Sequence, residues 1–166
     1  EHGLFCHAPG RVQVYLPGPA KSFLAVVGIL TDYWNQDAGW YPCGDGWWNV
    51  GTWEVDPTRW PKGLCEGSDW LHAHGVKRIV WFEPERAAGG TWLTQNHPEW
   101  CYGGAGGGLM KIGDQNFRKW ITDRVDQLIA SEGIDFYRQD FNIDPLYSWR
   151  GSDAEDRQGF EEIRHI

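Results

Sequence analysis

Residues Gly133-Ile-Asp-Phe-Tyr-Arg-Gln-Asp-Phe-Asn-Ile-Asp-Pro145 predict a short strand that ends in a group of charged side chains. Gly133 is typical of the position where a helix ends. The aromatic and β-branched residues of 134–141 favour a strand, and Pro145 lacks the N–H group that further strand pairing would need. We therefore expect the strand to end near Asp140.

Two charged residues of this strand, Arg138 and Asp140, should lie on the same face, because side chains along a strand alternate with a period of two. A guanidinium beside a carboxylate favours the ionised form of the carboxylate. An ionised carboxylate is the group that attacks the sugar in covalent glycoside hydrolysis. The pair therefore has two interpretations: a catalytic nucleophile with a charged neighbour, or an ion pair that only stabilises the strand end.

The composition favours a single domain whose partner is a neutral molecule. The chain has 166 residues, a net charge of −8 and a pI of about 5.1, which gives no electrostatic reason to expect binding to nucleic acid or to an anionic membrane. It contains 12 Trp, 22 Gly and 9 Pro, so aromatic side chains and sharply turned loops are frequent. Aromatic rings pack against sugars and also fill large cores, so the Trp content favours carbohydrate binding without excluding a structural role.

The sequence predicts no metal site and no cofactor. Its Cys residues, at positions 6, 43, 65 and 101, form no C-x-x-C pair and no zinc-binding spacing with His. The histidines at positions 72, 74 and 97 are scattered and are expected to be ordinary surface or loop residues. The Gly-rich residues 103–108 precede a predicted strand, whereas a phosphate-binding loop follows one, so a nucleotide site is not expected.

Strands and helices alternate along the chain, which indicates an α/β fold. Strands are predicted near residues 32–37, 77–82, 109–112 and 134–140. Alternation of this kind implies parallel strands joined by right-handed crossovers. Each predicted strand ends in polar or aromatic residues followed by a loop, as at the active-site face of a (β/α)8 TIM barrel. We therefore expect a partial (β/α)8 TIM barrel made of about the first four β/α units.

The same pattern predicts the internal boundaries. Residues 1–28 are expected to be an irregular N-terminal segment followed by a leading helix, and residues 29–166 to be the first half of the barrel domain. Within that domain, Asp114 is the predicted N-cap of the most regular helix, which Gly133 ends. After the last strand, a loop and then a polar helix from about Ser152 to the end of the chain are expected.

Four motifs occur in order along the chain: Asp37-Ala-Gly-Trp-Tyr41, Trp81-Phe-Glu-Pro-Glu-Arg86, His97-Pro-Glu-Trp100 and Tyr137-Arg-Gln-Asp-Phe-Asn142. Together they resemble the α-galactosidase and melibiase family, glycoside hydrolase family 36. The resemblance covers about residues 29–166 and implies a (β/α)8 barrel catalytic domain, of which this chain is the N-terminal half. It also implies a retaining mechanism, with the nucleophile at the end of the fourth strand.

The resemblance assigns roles to individual residues. Asp140 matches the family's nucleophile, Arg138 stands where α-galactosidases usually have Lys, and Asn142 matches an Asn that contacts the sugar. Asp37 matches the first of two adjacent Asp residues that bind sugar hydroxyls, and Ala38 stands in the place of the second. Losing a charged acceptor changes which hydroxyl pattern is favoured, so the sugar and its linkage stay open.

Three further residues are candidate contacts to the substrate. Trp81 and Glu83 lie on the same face of their predicted strand, so Trp81 can stack on the sugar while Glu83 orients its neighbours. Trp40 stands close to Asp37 at a strand end. Each has a structural alternative, because Trp side chains fill cores, a Glu can be buried with a hydrogen-bond partner, and an Asp often caps a loop.

The leading hypothesis is a retaining O-glycosyl hydrolase that cleaves α-galactosides or a related α-linked sugar by double displacement. Such an enzyme needs a second carboxyl about 5 Å from the nucleophile, and the resemblance puts that acid/base beyond residue 166. The chain alone is therefore expected to be inactive or weakly active, and to need the remainder of the barrel or another subunit. The alternative is a non-catalytic carbohydrate-binding half-barrel. An isomerase of phosphorylated sugars would need a phosphate site in its last loops, which the sequence lacks.

Overall fold

The structure is a computed structural model that describes residues 32–165; the predictions for residues 1–28 lie outside this range. The strands are β1 (Tyr33–Gln36), β2 (Lys77–Phe82), β3 (Arg86–Ala88), β4 (Gly107–Leu109) and β5 (Phe136–Gln139). The helices are α1 (Cys65–Ala73), α2 (Trp92–Asn96), α3 (Gln115–Glu132), α4 (Leu146–Ser152) and α5 (Phe160–His165). None of these helices has the length and apolar character needed to cross a lipid bilayer.

Strands β1, β2 and β5 form a parallel sheet with β2 in the centre. Across this sheet Asn35 lies opposite Ile79, and Ile79 lies opposite Phe136. Helix α1 connects β1 to β2, and helix α3 precedes β5, as expected for parallel strands joined by crossovers. The α/β class and three of the predicted strands are therefore confirmed.

The strand predicted at residues 109–112 is wrong in its position and its pairing. Gly107–Leu109 (β4) pairs antiparallel with Arg86–Ala88 (β3) in a separate two-stranded sheet. The described residues therefore contain three parallel strands rather than four. Glycine explains the difference, because Gly107 has a φ of +85° and a Cβ there would lie 2.5 Å from the carbonyl oxygen of Ala87. Only glycine allows this close approach of two backbones.

Helix α3 begins and ends at the predicted residues. The Asp114 carboxylate accepts hydrogen bonds from the backbone N–H groups of Asn116 and Phe117, at 2.8 and 3.1 Å. These are two of the N–H groups that the start of a helix leaves without partners. Gly133 ends the helix in the left-handed conformation, with a φ of +64°. The buried residues of α3 are Phe117, Ile121 and Leu128.

The end of the described chain differs from the single helix that was predicted from Ser152. Helix α4 is already complete at that residue, and α5 is a separate helix. The Asp144 carboxylate accepts a hydrogen bond from the N–H group of Leu146 at 3.0 Å, so a helix begins where a loop was expected. The Asp153 carboxylate then accepts a hydrogen bond from the N–H group of Gly159 at 2.6 Å and holds the turn between the two helices.

Aromatic side chains form much of the core on the helix side of the sheet. Trp40, Trp53 and Phe82 are almost completely buried, and their ring centroids lie 5.2 to 6.0 Å apart, within the range in which aromatic rings attract each other. Part of the high Trp content is therefore structural. On the other face of the sheet, Tyr33 and Phe136 remain 45% and 42% exposed. That the chain needs further structure to cover this face stays a prediction.

Replacing Gly133 by Ala should destabilise the full-length protein more than replacing Gly75 by Ala. Both glycines are left-handed, with φ of +64° and +73°, so each substitution introduces backbone strain of about 1–2 kcal/mol. A Cβ at Gly133 would also lie 2.9 Å from the Cβ of Ser68, whereas a Cβ at Gly75 meets nothing within 4 Å. Urea unfolding measures both losses; equal losses would contradict the tight contact between Gly133 and α1.

Candidate functional site

One face of the parallel sheet carries polar side chains at the carboxyl ends of its strands. Trp81 lies opposite Arg138 in the register of β2 with β5, and Asp37 directly follows the last residue of β1. Glu83 and Asp140 come two residues after Trp81 and Arg138, so their side chains lie on the same face. The structure therefore brings these five residues together at one edge of the sheet.

The carboxylate of Asp140 is held by three N–H donors. Its Oδ2 atom accepts hydrogen bonds from Nε1 of Trp81 at 2.9 Å and from Nδ2 of Asn142 at 3.1 Å. Its Oδ1 atom accepts one from the backbone N–H group of Phe141 at 3.0 Å. The backbone of Asp140 is also fixed, because its N–H group donates to the carbonyl oxygen of Phe82 at 2.8 Å. The position of the carboxylate therefore depends on the pairing of β5 with β2.

These donors keep Asp140 ionised. The pKa of Asp140 lies below its ordinary value, and the largest cause is the hydrogen bond from Trp81, followed by those from Asn142 and Phe141. Hydrogen bonds to the charged form of a carboxyl group favour that form. The site therefore presents a negatively charged oxygen at neutral pH.

Arg138 is not the principal partner of Asp140, which corrects the pairing expected from the sequence. Its Nη1 atom lies 3.5 Å from Oδ2 of Asp37, at the end of the other outer strand. Its positive charge makes a smaller contribution to the lowered pKa of Asp140 than any of the three hydrogen bonds. Both side chains of the Arg138–Asp37 pair are well exposed, at 44% and 67%, so their polar atoms are accessible to a ligand.

A largely buried ion pair contacts the loop that carries Asn142. Glu83 is completely buried, and Arg86 donates to both of its oxygens, from Nε at 2.8 Å and from Nη2 at 2.6 Å. Oε1 of Glu83 also accepts the backbone N–H group of Asn142 at 2.9 Å. Glu83 thereby fixes the backbone of the residue whose side chain holds Asp140, so the predicted role of Glu83 in orienting its neighbours agrees with the geometry.

Sequence reasoning did not assign a role to Arg86. Besides Glu83, its guanidinium binds the carbonyl oxygen of Trp48 at 2.7 Å and lies over the ring of Trp47, 6.0 Å from its centroid. The signal was present in the sequence as a cation three residues after Glu83. It becomes informative only once the complete burial of Glu83 is known, because a buried carboxylate needs a paired charge.

Trp81, the predicted stacking residue, and Trp40, a predicted substrate contact, are buried, which corrects the expectation that they contact a sugar. Trp40 is 0% and Trp81 is 1% exposed. Nε1 of Trp40 donates to the carbonyl oxygen of Trp81 at 2.8 Å, and the ring of Trp81 packs against Tyr41 and Trp47, each with a centroid distance of 6.2 Å. Trp81 therefore contributes its N–H group to Asp140, and Trp40 supports the backbone of Trp81.

Trp47 and Trp48 are the exposed aromatic residues beside the site. They are 45% and 54% exposed and lie in the loop between β1 and α1. Trp47 contacts Trp81, and Trp48 contacts Arg86 through its carbonyl oxygen. Their position in a loop that follows a strand end was the available sequence signal, but five Trp residues share that loop and sequence does not show which are exposed.

Glu85 belongs to the opposite face of the sheet. Its Oε1 atom accepts a hydrogen bond from Nε2 of Gln139 at 2.9 Å, and Gln139 immediately precedes Asp140 and so faces the other way. Burial raises the pKa of Glu85, and the nearby charge of Glu83 adds to that effect. Glu85 is therefore a carboxyl group with a raised pKa that lies near the site and does not face Asp140.

Within residues 32–165, no three His, Cys, Asp or Glu residues lie close enough together to hold a metal ion. His97 instead stacks on Trp100, with a centroid distance of 3.7 Å, and its Nδ1 atom lies 3.0 Å from Glu99. The side chain of His97 therefore has partners within the segment His97–Trp100.

Comparison with known families and proteins identifies similar sequences. The melibiase family model matches residues 27–159. Over 122 residues the chain is 30% identical to α-galactosidase 1 of Pediococcus pentosaceus, and the alignment covers 63% of this chain and 17% of that protein.

Solved structures give the same result for the fold. The family 36 α-galactosidase AgaB of Geobacillus stearothermophilus matches 80% of this chain with a TM-score of 0.67 and 20% identity, over 20% of its own length. A variant of α-galactosidase AgaA from the same organism, in complex with stachyose, matches with a TM-score of 0.68, at the same identity and coverage. The described residues thus share the fold of part of these family 36 enzymes, and the chain spans about a fifth of the length of these relatives.

The hydrogen bond from Trp81 to Asp140 predicts the direction of a pKa change. Trp81→Phe removes the largest cause of the lowered pKa of Asp140 and should raise that pKa. Asn142→Ala should raise it less, and Arg138→Gln least. Titration of ¹³C-labelled Asp carboxyl carbons by NMR measures the pKa, with Asp140→Asn to assign the signal. A larger rise in Arg138→Gln than in Trp81→Phe would contradict the geometry described above.

Proposed function

Because the chain belongs to the melibiase family, we propose that it contributes the nucleophile to the active site of a retaining glycoside hydrolase that acts on α-galactosides or a related α-linked sugar. The nucleophile is Asp140. The observation that carries this proposal is the ionised carboxylate of Asp140, fixed at the carboxyl end of a parallel strand by three N–H donors. A carboxylate in that position is suited to attack on a bound sugar.

The two oxygens of Asp140 differ in their hydrogen bonds, which supports Oδ1 as the attacking atom. Oδ2 accepts two side-chain donors, whereas Oδ1 accepts a single backbone N–H group. In the first step a lone pair of Oδ1 forms a bond to the anomeric carbon while the bond to the leaving oxygen breaks. An acid supplies the proton that the leaving oxygen takes, and water then cleaves the glycosyl ester with the same group acting as base.

The carboxylates that surround Asp140 in the described residues are poorly suited to serve as that acid. Glu83 is fully buried and bound by Arg86 and Asn142. Glu85 faces the other side of the sheet, and Asp37 is paired with Arg138. We therefore assign the acid/base to a residue outside 32–165, at the separation of about 5 Å that a retaining mechanism requires.

The exposed polar groups around Asp140 support a neutral sugar as the ligand. Asp37 and Arg138 offer a carboxylate and a guanidinium at the sheet edge. The amide of Asn142 donates to Asp140 from Nδ2, and its oxygen is available to accept a hydroxyl group of the sugar. Trp47 and Trp48 add exposed aromatic faces, a common feature of sites that bind sugar rings. The names of the relatives favour α-linked galactose, while Ala38 leaves the preferred hydroxyl pattern to be measured.

Replacing Asp140 by Gly in the full-length enzyme should reduce turnover of 4-nitrophenyl α-galactoside by several orders of magnitude, because the covalent intermediate cannot form. Added azide should restore turnover by attacking the anomeric carbon from the vacated side, which gives a glycosyl azide of inverted configuration. Product analysis by NMR identifies that configuration.

The matched control is Asp144→Gly, because Asp144 is a nearby carboxylate that accepts a hydrogen bond from the start of α4. This variant should retain turnover and show no response to azide. Near-normal activity of Asp140→Gly, or azide rescue of Asp144→Gly instead, would contradict the assignment of Asp140.

A further inference from the structure

A second cavity lies away from the candidate active site. It has a volume of about 260 Å³. The residues that line it are Thr52, Trp53, Glu54, Trp92, Trp120, Asp123, Arg124 and Gln127. None of these residues belongs to the group around Asp140, and we propose that this cavity is a separate binding site for one neutral hexopyranose ring.

The cavity lies on the helix side of the sheet. Trp53 packs against Phe82 with a centroid distance of 5.8 Å, and Phe82 follows Trp81 in β2, so their side chains lie on opposite faces. Nε of Arg124, in α3, donates to the carbonyl oxygen of Trp53 at 2.6 Å. The sheet therefore separates the cavity from Asp140, and a sugar bound here cannot be the one that Asp140 attacks.

An aromatic platform forms one wall. The rings of Trp92 and Trp120 are nearly parallel, with a centroid distance of 5.1 Å and an interplanar angle of 10°. Trp120 covers one face of Trp92, and Trp92 is still 37% exposed. A fixed indole with an accessible face offers apolar contact to the C–H groups of a sugar ring at low entropic cost.

Polar groups of both kinds surround this platform. Glu54 and Asp123 are 62% and 63% exposed and supply carboxylate acceptors. The hydroxyl of Thr52 accepts a hydrogen bond from the backbone N–H group of Trp92 at 2.9 Å, which leaves the hydroxyl hydrogen free to donate. Gln127 accepts Arg124 through its oxygen at 3.4 Å, so its NH₂ group remains as a further donor. Sugar hydroxyls need donors and acceptors together, and this set provides them around an aromatic face.

The charges favour a neutral ligand. Arg124 is the cation of the cavity wall, and its guanidinium is already used by the carboxylate of Glu54 at 3.2 Å and by the carbonyl oxygen of Trp53. No free cation is therefore offered to an anion within the described part of the cavity. Pockets for larger organic ligands measure about 300–1,000 Å³, so a cavity of this size suits a single ring.

Equilibrium dialysis of the full-length protein against radiolabelled methyl α-D-galactopyranoside tests the proposal; the choice of this sugar rests on the proposed function. The protein carries Asp140→Asn so that its active site does not act on the ligand. We expect two sugars per chain at saturation, and one after Trp92→Ala. The control Trp70→Ala removes another exposed Trp, which lies in α1 and stacks on His74, and should leave two.

The outcomes separate this proposal from the proposed function. One sugar per chain that persists after Trp92→Ala would overturn the cavity site and leave the active site intact. One sugar that is lost after Trp92→Ala would support the cavity and contradict binding near Asp140. No bound sugar, or two that persist after Trp92→Ala, would overturn the cavity site.

A second variant avoids any effect of Trp92→Ala on folding. Glu54 is exposed, and its carboxylate pairs with Arg124 at 3.2 Å, so Glu54→Gln preserves the shape of the cavity. Loss of a charged acceptor should weaken the binding that depends on Trp92 about tenfold. The same substitution at Glu66, an exposed residue of α1 paired with Lys62, should leave both sites unchanged; equal effects of the two substitutions would contradict the proposal.

Discussion

The register of β2 between β1 and β5 is the constraint on which the rest of the site depends. It sets Trp81 opposite Arg138 and directs Glu83 and Asp140 to the same face. A shift of one residue would turn every side chain of a strand to the other face. The N–H group of Trp81 would then point away from Asp140, and the buried Val80 and Phe82 would be exposed. Packing of the core and placement of Asp140 are therefore set by the same hydrogen bonds.

The buried pair of Glu83 and Arg86 joins three loops to this register. Arg86 binds Trp48 in the loop after β1, Glu83 follows β2, and Asn142 lies in the loop after β5. Removing one partner would leave an uncompensated buried charge, which is strongly destabilising. The pair thus holds the loops at the carboxyl ends of the strands in one arrangement, and Asn142 transmits that arrangement to Asp140. A carboxylate that needs no reorganisation on binding is an advantage for catalysis.

Features with a local chemical cause could be predicted from the sequence. Asp114 caps α3 because its carboxylate accepts backbone N–H groups at the start of the helix. Gly133 ends α3 because it adopts the left-handed conformation. Burial could not be predicted, since it depends on residues that are distant in sequence. Trp40 and Trp81, which were candidate contacts to the sugar, are core residues. The sequence could not show that the partner of Arg138 is Asp37 rather than Asp140. Both carboxylates lie on the same face of the sheet, and the choice between them depends on how the strands are arranged. The antiparallel pairing of β3 with β4 arises from contacts between glycines and backbone that no periodicity reveals.

The central claim is that Asp140 carries the glycosyl group in a covalent intermediate. The most direct measurement is trapping of that intermediate in the full-length enzyme with a mechanism-based fluorinated α-galactosyl fluoride, whose fluorine substituent slows the release of the sugar. Digestion and mass spectrometry then locate the sugar on the chain. The account predicts a single glycosylated residue, Asp140. A label on Glu83 or Asp144 would contradict it, and Asp140 would then serve only to accept the hydrogen bonds of Trp81 and Asn142.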